Sequence, residues 1–174
     1  MFITQSGFGQ KDQASYAGVS PETKILMSDN TEKRIIDIKE GDSVITYLDL
    51  PPFNITFMAN KVKKIIQKSG PLYSITSKNK SVTCTENLGF FCKDFLWASI
   101  NPKESNKIFI DKISSKLEIG NELYHLKDNK PAFPQLVNLI EIVPLPIDDV
   151  TDFYTLELEY GNTFIANGFI VKTK

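Results

Sequence analysis

The side chains able to act as nucleophiles, metal ligands or proton carriers are few in this 174-residue chain. There are two cysteines, Cys84 and Cys92, and one histidine, His125. Two thiols are too few for a disulfide framework, and as small apolar groups both read as buried core residues. Cys84, Cys92 and His125 would give three scattered ligands, without the paired spacing from which zinc sites are built. No Gly-rich phosphate loop, paired-carboxylate cleft or nucleophile elbow occurs, and Gly7-Phe8-Gly9 is too short to cradle a nucleotide. No cofactor or metal is expected.

The elements that would position any site are strands. At 174 residues and 41% hydrophobic content, with 12 Phe and 6 Tyr, the chain can bury one core. A net charge of −1 gives no electrostatic reason to bind nucleic acid or an anionic membrane. The absence of a long apolar run or a basic-then-apolar leader leads us to expect an unsecreted, cytoplasmic or virion-associated protein with no membrane contact. Residues 1–17 lack periodicity and are expected to form an N-terminal arm, with the folded domain spanning 18–174.

From Gly18 onward the pattern is short apolar runs separated by turn signals such as Glu40-Gly41-Asp42, Ser69-Gly70-Pro71 and Asn167-Gly168. Strands are expected at 23–27, 33–37, 43–48, 61–68, 72–76, 81–85, 89–92, 107–111, 122–126, 136–143, 153–159, 163–166 and 169–172. Helices of one or two turns are admissible at Glu32–Ile38 and near Ile113–Leu117. The fold class is all-β. An internal repeat accompanies this pattern: 38–47 resembles 117–126, Val62–Ile66 is echoed by Leu139–Val143, and Leu72–Ile75 by Phe153–Leu156. The echoes keep their order and nearly their separation, which implies two related β-units about a pseudo-two-fold axis.

A β-rich chain with a duplicated half resembles the hedgehog/intein (Hint) domain, the self-processing module of inteins and hedgehog C-terminal regions. Gly18–Leu26 resembles its opening block, and Ile36–Val44 its Ile-x-x-Gly-Asp-x-Val turn. Val82–Leu88 stands at its strand ending in Thr-x-x-His. Trp97 and Leu117–Leu123 match the later Trp and Leu-x-x-Gly-Asp-x-Leu elements. Phe153–Val171 resembles the closing block, where a Tyr-x-Leu strand precedes an Asn-Gly turn and a last strand.

The resemblance implies an autocatalytic reaction, and each of its chemical positions is altered here. The first step needs Cys or Ser at the domain's first residue, to attack the preceding carbonyl; this chain has Gly18. Ser20 is two residues displaced from the only carbonyl that matters. The proton donor to the scissile nitrogen, the His of Thr-x-x-His, corresponds to Leu88, while Thr85 is retained. The cyclising terminal Asn corresponds to Thr173, its neighbour to Lys172, and a further common His position to Asn162. His125 lies on the second Gly-turn strand, away from these positions, with a surface or packing role.

The expectation is therefore a catalytically silent Hint domain, not an enzyme. It would serve as a structural or protein-interaction module through the arm, Met1 to Ala17, and the β-domain surface. The resemblance, in a chain rich in Lys, Asn and Ile, implies a phage or virus structural component as the setting. Two alternatives are residual self-processing by Ser20, Thr23 or Thr173, and a small-molecule or sugar-binding β-module built on aromatics. Phe90, Phe91, Phe95 and Trp97 are instead expected to form an apolar cluster between the halves.

Overall fold

A computed structural model describes residues 16–50, 54–78, 80–109, 112–126, 128, 134–146 and 151–173. The strands are β1 (Lys24–Leu26), β2 (Glu32–Arg34), β3 (Ser43–Leu50), β4 (Asn54–Gly70), β5 (Tyr73–Ser77), β6 (Lys80–Cys84) and β7 (Gly89–Cys92). They continue with β8 (Leu96–Ser99), β9 (Ser115–Lys116), β10 (Glu122–Leu126), β11 (Pro134–Pro144), β12 (Thr151–Leu158), β13 (Thr163–Ala166) and β14 (Phe169–Lys172). One α-helical turn, α1, spans Pro102–Ser105. Among the described residues no helix is long and apolar enough to cross a membrane.

Nine strands follow one another in the order β2-β1-β13-β14-β7-β10-β11-β5-β6, with β8 paired to β7 and β9 to β8. A second sheet has the order β12-β4-β3. The long strands β4 and β11 tie the halves together. β4 pairs with its hairpin partner β3 and with β12, whereas β11 pairs with β10 and with β5. Each half thus lends a strand to the other.

The duplication read from the sequence is present atom for atom at the two Gly turns. Gly41 (φ 88°) and Gly120 (φ 94°) are both left-handed, a conformation that favours glycine. The Gly41 N–H donates to the Val62 carbonyl at 2.8 Å, and the Gly120 N–H to the Leu139 carbonyl at 2.8 Å. The side chains of Asp42 and Asn121 accept from the N–H groups of Lys39 and Glu118, both at 2.8 Å. Even the ladder irregularities correspond. In β4 the pairing skips Lys63 between Val62 and Lys64, and in β11 it skips Ile140 between Leu139 and Glu141. These are β-bulges at equivalent places.

Several expectations need correction. Residues 107–109 form no strand: Pro102 opens a helical turn, the side chain of Asn101 accepts from the Glu104 N–H, and Asn106 then holds Ile113 through its side chain. Glu32–Ile38 is helical only at Ile35–Asp37, one 3-10 turn that follows β2. Ile113–Leu117 contains β9, a strand parallel to β8, rather than a helical turn. β8 itself was not expected. Asp94 (φ 62°) reverses the chain just before it.

The core has two parts. The larger cluster includes Val19, Ile25, Val44, Ile75, Cys84, Leu88, Phe90, Leu123, Phe164 and Phe169. The smaller one centres on Tyr47, Phe91, Ile165 and Ile170. The expected aromatic cluster is split, because successive strand residues face opposite ways. Phe90 packs on Phe169 at 6.2 Å between ring centres, and Phe91 on Trp97 at 5.1 Å and Tyr47 at 4.6 Å. Trp97 is only partly buried, and the Phe95 side chain lies outside the described residues.

Candidate functional site

The positions implied by the resemblance converge on the corner between β6 and β7, Thr85–Gly89. The segment 17–20 threads between β6 and β12, so it contacts both halves. Val19 and Tyr154 exchange two backbone hydrogen bonds, at 2.9 and 2.8 Å, and the Ser20 N–H donates to the Thr83 carbonyl at 2.8 Å. The Thr85 N–H donates to the Gly18 carbonyl at 3.0 Å. In return the Gly18 N–H donates to Thr85 Oγ1 at 3.0 Å. Thr85, matched to the family's Thr, thus grips the residue matched to its nucleophile.

Gly18 has no room for a side chain. A Cβ there would lie 2.6 Å from Phe153 Cδ2 and 2.6 Å from the Tyr154 carbonyl oxygen. The second obstacle is backbone, and the Val19–Tyr154 ladder holds it in place. The Ser20 hydroxyl lies 3.0 Å from Thr23 Oγ1, and the carbonyl preceding Ser20, that of Val19, accepts from the Tyr154 N–H. Leu88, matched to the family's proton donor, is 1% exposed and belongs to the main core.

Sequence reasoning missed Asn87. Its Nδ2 donates to the Tyr16 carbonyl at 3.2 Å, and Thr85 accepts from the Gly18 N–H, so the two side chains bond successive peptides of this segment. Its adjacency to Leu88 within the Thr-x-x-His match was the available signal. Ala17, assigned to the arm, is fully buried in the core; Met1 to residue 15 lie outside the described residues.

The C-terminal end reaches the same corner. Lys172 pairs with Gly89 on one side and Thr163 on the other. It is 4% exposed, with Nζ 5.4 Å from the Trp97 ring centre and 5.8 Å from that of Phe109. Cation–π attraction of this kind favours a charged lysine among rings. Thr173 is 2% exposed; its N–H and Oγ1 both donate to the Asn162 carbonyl, at 3.0 and 3.3 Å. Asn162 is used through its backbone there.

The remaining candidates lie elsewhere. His125 is buried, not on the surface, and packs edge-on against Phe169 at 5.2 Å. Its Nε2 has no hydrogen-bond partner among the described residues. Burial, then the Lys80 ammonium, depress its pKa, while a hydrogen bond to the Asn167 backbone partly opposes them. Cys92 is pushed up to about 12 by burial, and Cys84 is pushed higher still for the same reason. Neither is a thiolate near neutral pH.

Among solved structures, a DnaB intein from Synechocystis is similar to this chain with a TM-score of 0.68 and 13% identity, covering 91% of this chain and 99% of that one. A bacterial intein-like domain from Clostridium thermocellum matches with a TM-score of 0.66 and 18% identity, over 91% and 99% of the respective chains. The gp41-1 intein matches with a TM-score of 0.61 and 20% identity, over 91% and 99%. No protein-family model matches the chain. One curated protein, DNA-directed RNA polymerase III subunit rpc2 of Dictyostelium discoideum, is 28% identical over 109 residues, which is 60% of this chain. The match spans 7% of that protein's length. By fold, this chain is a hedgehog/intein-type domain.

Proposed function

We propose that this domain keeps the scaffold of a self-processing module without its backbone chemistry, and acts as a structural or protein-interaction unit. The observation that carries this reading is the packing at Gly18. A missing nucleophile could be restored by one substitution if its space were empty, but here Phe153 and the Tyr154 carbonyl fill it. Three of the other altered positions are buried as well. Leu88 packs among apolar residues, and Lys172 and Thr173 are buried at the far end of the same corner.

The match to 7% of a much longer polypeptide is consistent with a domain carried inside a larger chain. The internal repeat offers a comparison that supports the interaction role. Ile119 (67% exposed) and Ile140 (52% exposed) stand where the first half has Glu40 and Lys63. The scaffold therefore does not need apolar groups at these places. The arm, Met1 to Ala17, and the β-domain surface are the proposed contacts, in a viral or phage assembly or a comparable one.

The test is expression with unrelated residues on both sides, followed by long incubation with and without added thiol or hydroxylamine. Intact mass should show neither cleavage nor ligation. A product ending at Ala17, or one ending at Val19, Glu22 or Lys172 as processing by Ser20, Thr23 or Thr173 would give, would overturn the reading.

A further inference from the structure

The chain has one Asn-Gly pair, Asn167-Gly168, and it forms the turn joining β13 to β14. Both residues are left-handed, at φ 48° and 86°, as a two-residue type I′ hairpin turn requires. The turn is tied to three further strands. Asn167 donates its N–H to the Lys24 carbonyl and accepts the Lys24 N–H on Oδ1, both at 2.8 Å. Its Nδ2 donates to the Ser81 carbonyl at 2.7 Å. The Leu126 N–H donates to the Gly168 carbonyl at 2.8 Å, and the His125 ring lies so close over Gly168 that any Cβ there would collide with it.

Asn-Gly is also the pair in which a backbone nitrogen most readily attacks the preceding side chain, since glycine offers no obstruction. The Gly168 nitrogen bonds to Asn167 Cγ and loses its proton, and ammonia leaves from Cγ. Water then opens the cyclic imide at either carbonyl, giving aspartate or isoaspartate. We propose that Asn167 is a site of this modification, held unreacted by the closed hairpin and exposed to it only when the hairpin opens.

Swinging Cγ onto the Gly168 nitrogen breaks the bonds to Lys24 and Ser81. Aspartate can again accept the Lys24 N–H on its carboxylate, but it cannot restore the bond to Ser81. A carboxylate has no N–H for the Ser81 carbonyl and sets oxygen against oxygen. Isoaspartate lengthens the backbone of a two-residue turn. Opening would thus become irreversible, loosening β1, β6 and β10 from the closing hairpin.

Peptide mapping by mass spectrometry after incubation in mildly alkaline buffer, with and without urea, tests the first claim. Conversion at Asn167 should be slower in the folded protein by a factor on the order of 10 or more, because only the open population reacts. Equal rates, or no conversion in urea, would overturn the proposal. Asn167→Gly retains a turn-compatible residue and should abolish conversion. Asn167→Asp reproduces one product, and amide exchange at Leu126 should accelerate roughly tenfold or more if the turn recloses poorly. Unchanged exchange in that variant would sink the irreversibility.

Discussion

At the scale of single residues, the position matched to the nucleophile is governed by space rather than reactivity. Gly18→Ala should destabilise by roughly 1–3 kcal/mol, because an added methyl meets a fixed carbonyl. Gly18→Cys should lose at least as much, and chemical denaturation measures both. A Cys variant as stable as the parent would show that the segment can retreat from β12. Thr85→Ala leaves the buried Gly18 N–H without an acceptor, a loss of about 1–3 kcal/mol, and Thr85→Ser should recover most of it. Trp97 is only half-buried, so Trp97→Ala should fall below the roughly 3–5 kcal/mol seen for fully buried aromatics.

At the scale of elements, the β10–β14 contact carries a pH dependence. His125 has its folded pKa below its ordinary value near 6.5, chiefly through burial. The unfolded chain therefore binds more protons in the window below about 6.5, and stability rises with pH through that window. It is lost as pH falls, when a charged imidazole must be accommodated beside Phe169, Lys80 and the Asn167 backbone. Denaturant midpoints at pH 5 and pH 7.5 should differ in the parent, and the difference should shrink in His125→Gln. Asp42 titrates well below this range, held down first by the Lys33 ammonium and then by the Lys39 N–H, so the two effects separate on the pH axis.

At the scale of the molecule, the internal duplication is itself testable. Asn121 is the neutral counterpart of Asp42, and both cap their turns with the same side-chain bond. Asp42→Asn should therefore keep the turn and lose only the Lys33 ion pair, a loss of about 0.2–1 kcal/mol. Gly41→Ala and Gly120→Ala should each cost about 1–2 kcal/mol, since both force a left-handed backbone on alanine where no neighbour obstructs it. Unequal losses in thermal unfolding would mean that the halves share geometry without sharing strain.

The all-β class, the repeat and the closing hairpin were legible in the chain alone, because they rest on local rules. Gly41 and Gly120 announce left-handed turns, and Asn167-Gly168 announces a hairpin. Strands 89–92, 122–126, 163–166 and 169–172 have the bounds their apolar runs suggest. β8 and β9 were not legible, since one follows a reversal at Asp94 and the other exists only as a parallel partner. Residue types alone put Gly18, Leu88 and Thr173 at the positions matched to the family's nucleophile, proton donor and terminal Asn. Only the tertiary structure decided that a side chain at Gly18 would collide with Phe153 and Tyr154 and that Leu88 and Thr173 are buried. The close approach of Gly18 to Tyr154, the grip of Asn87 on Tyr16 and the ring contacts of Lys172 join residues far apart in the chain. No local pattern encodes such distances; they follow from how the two halves exchange strands and close on each other.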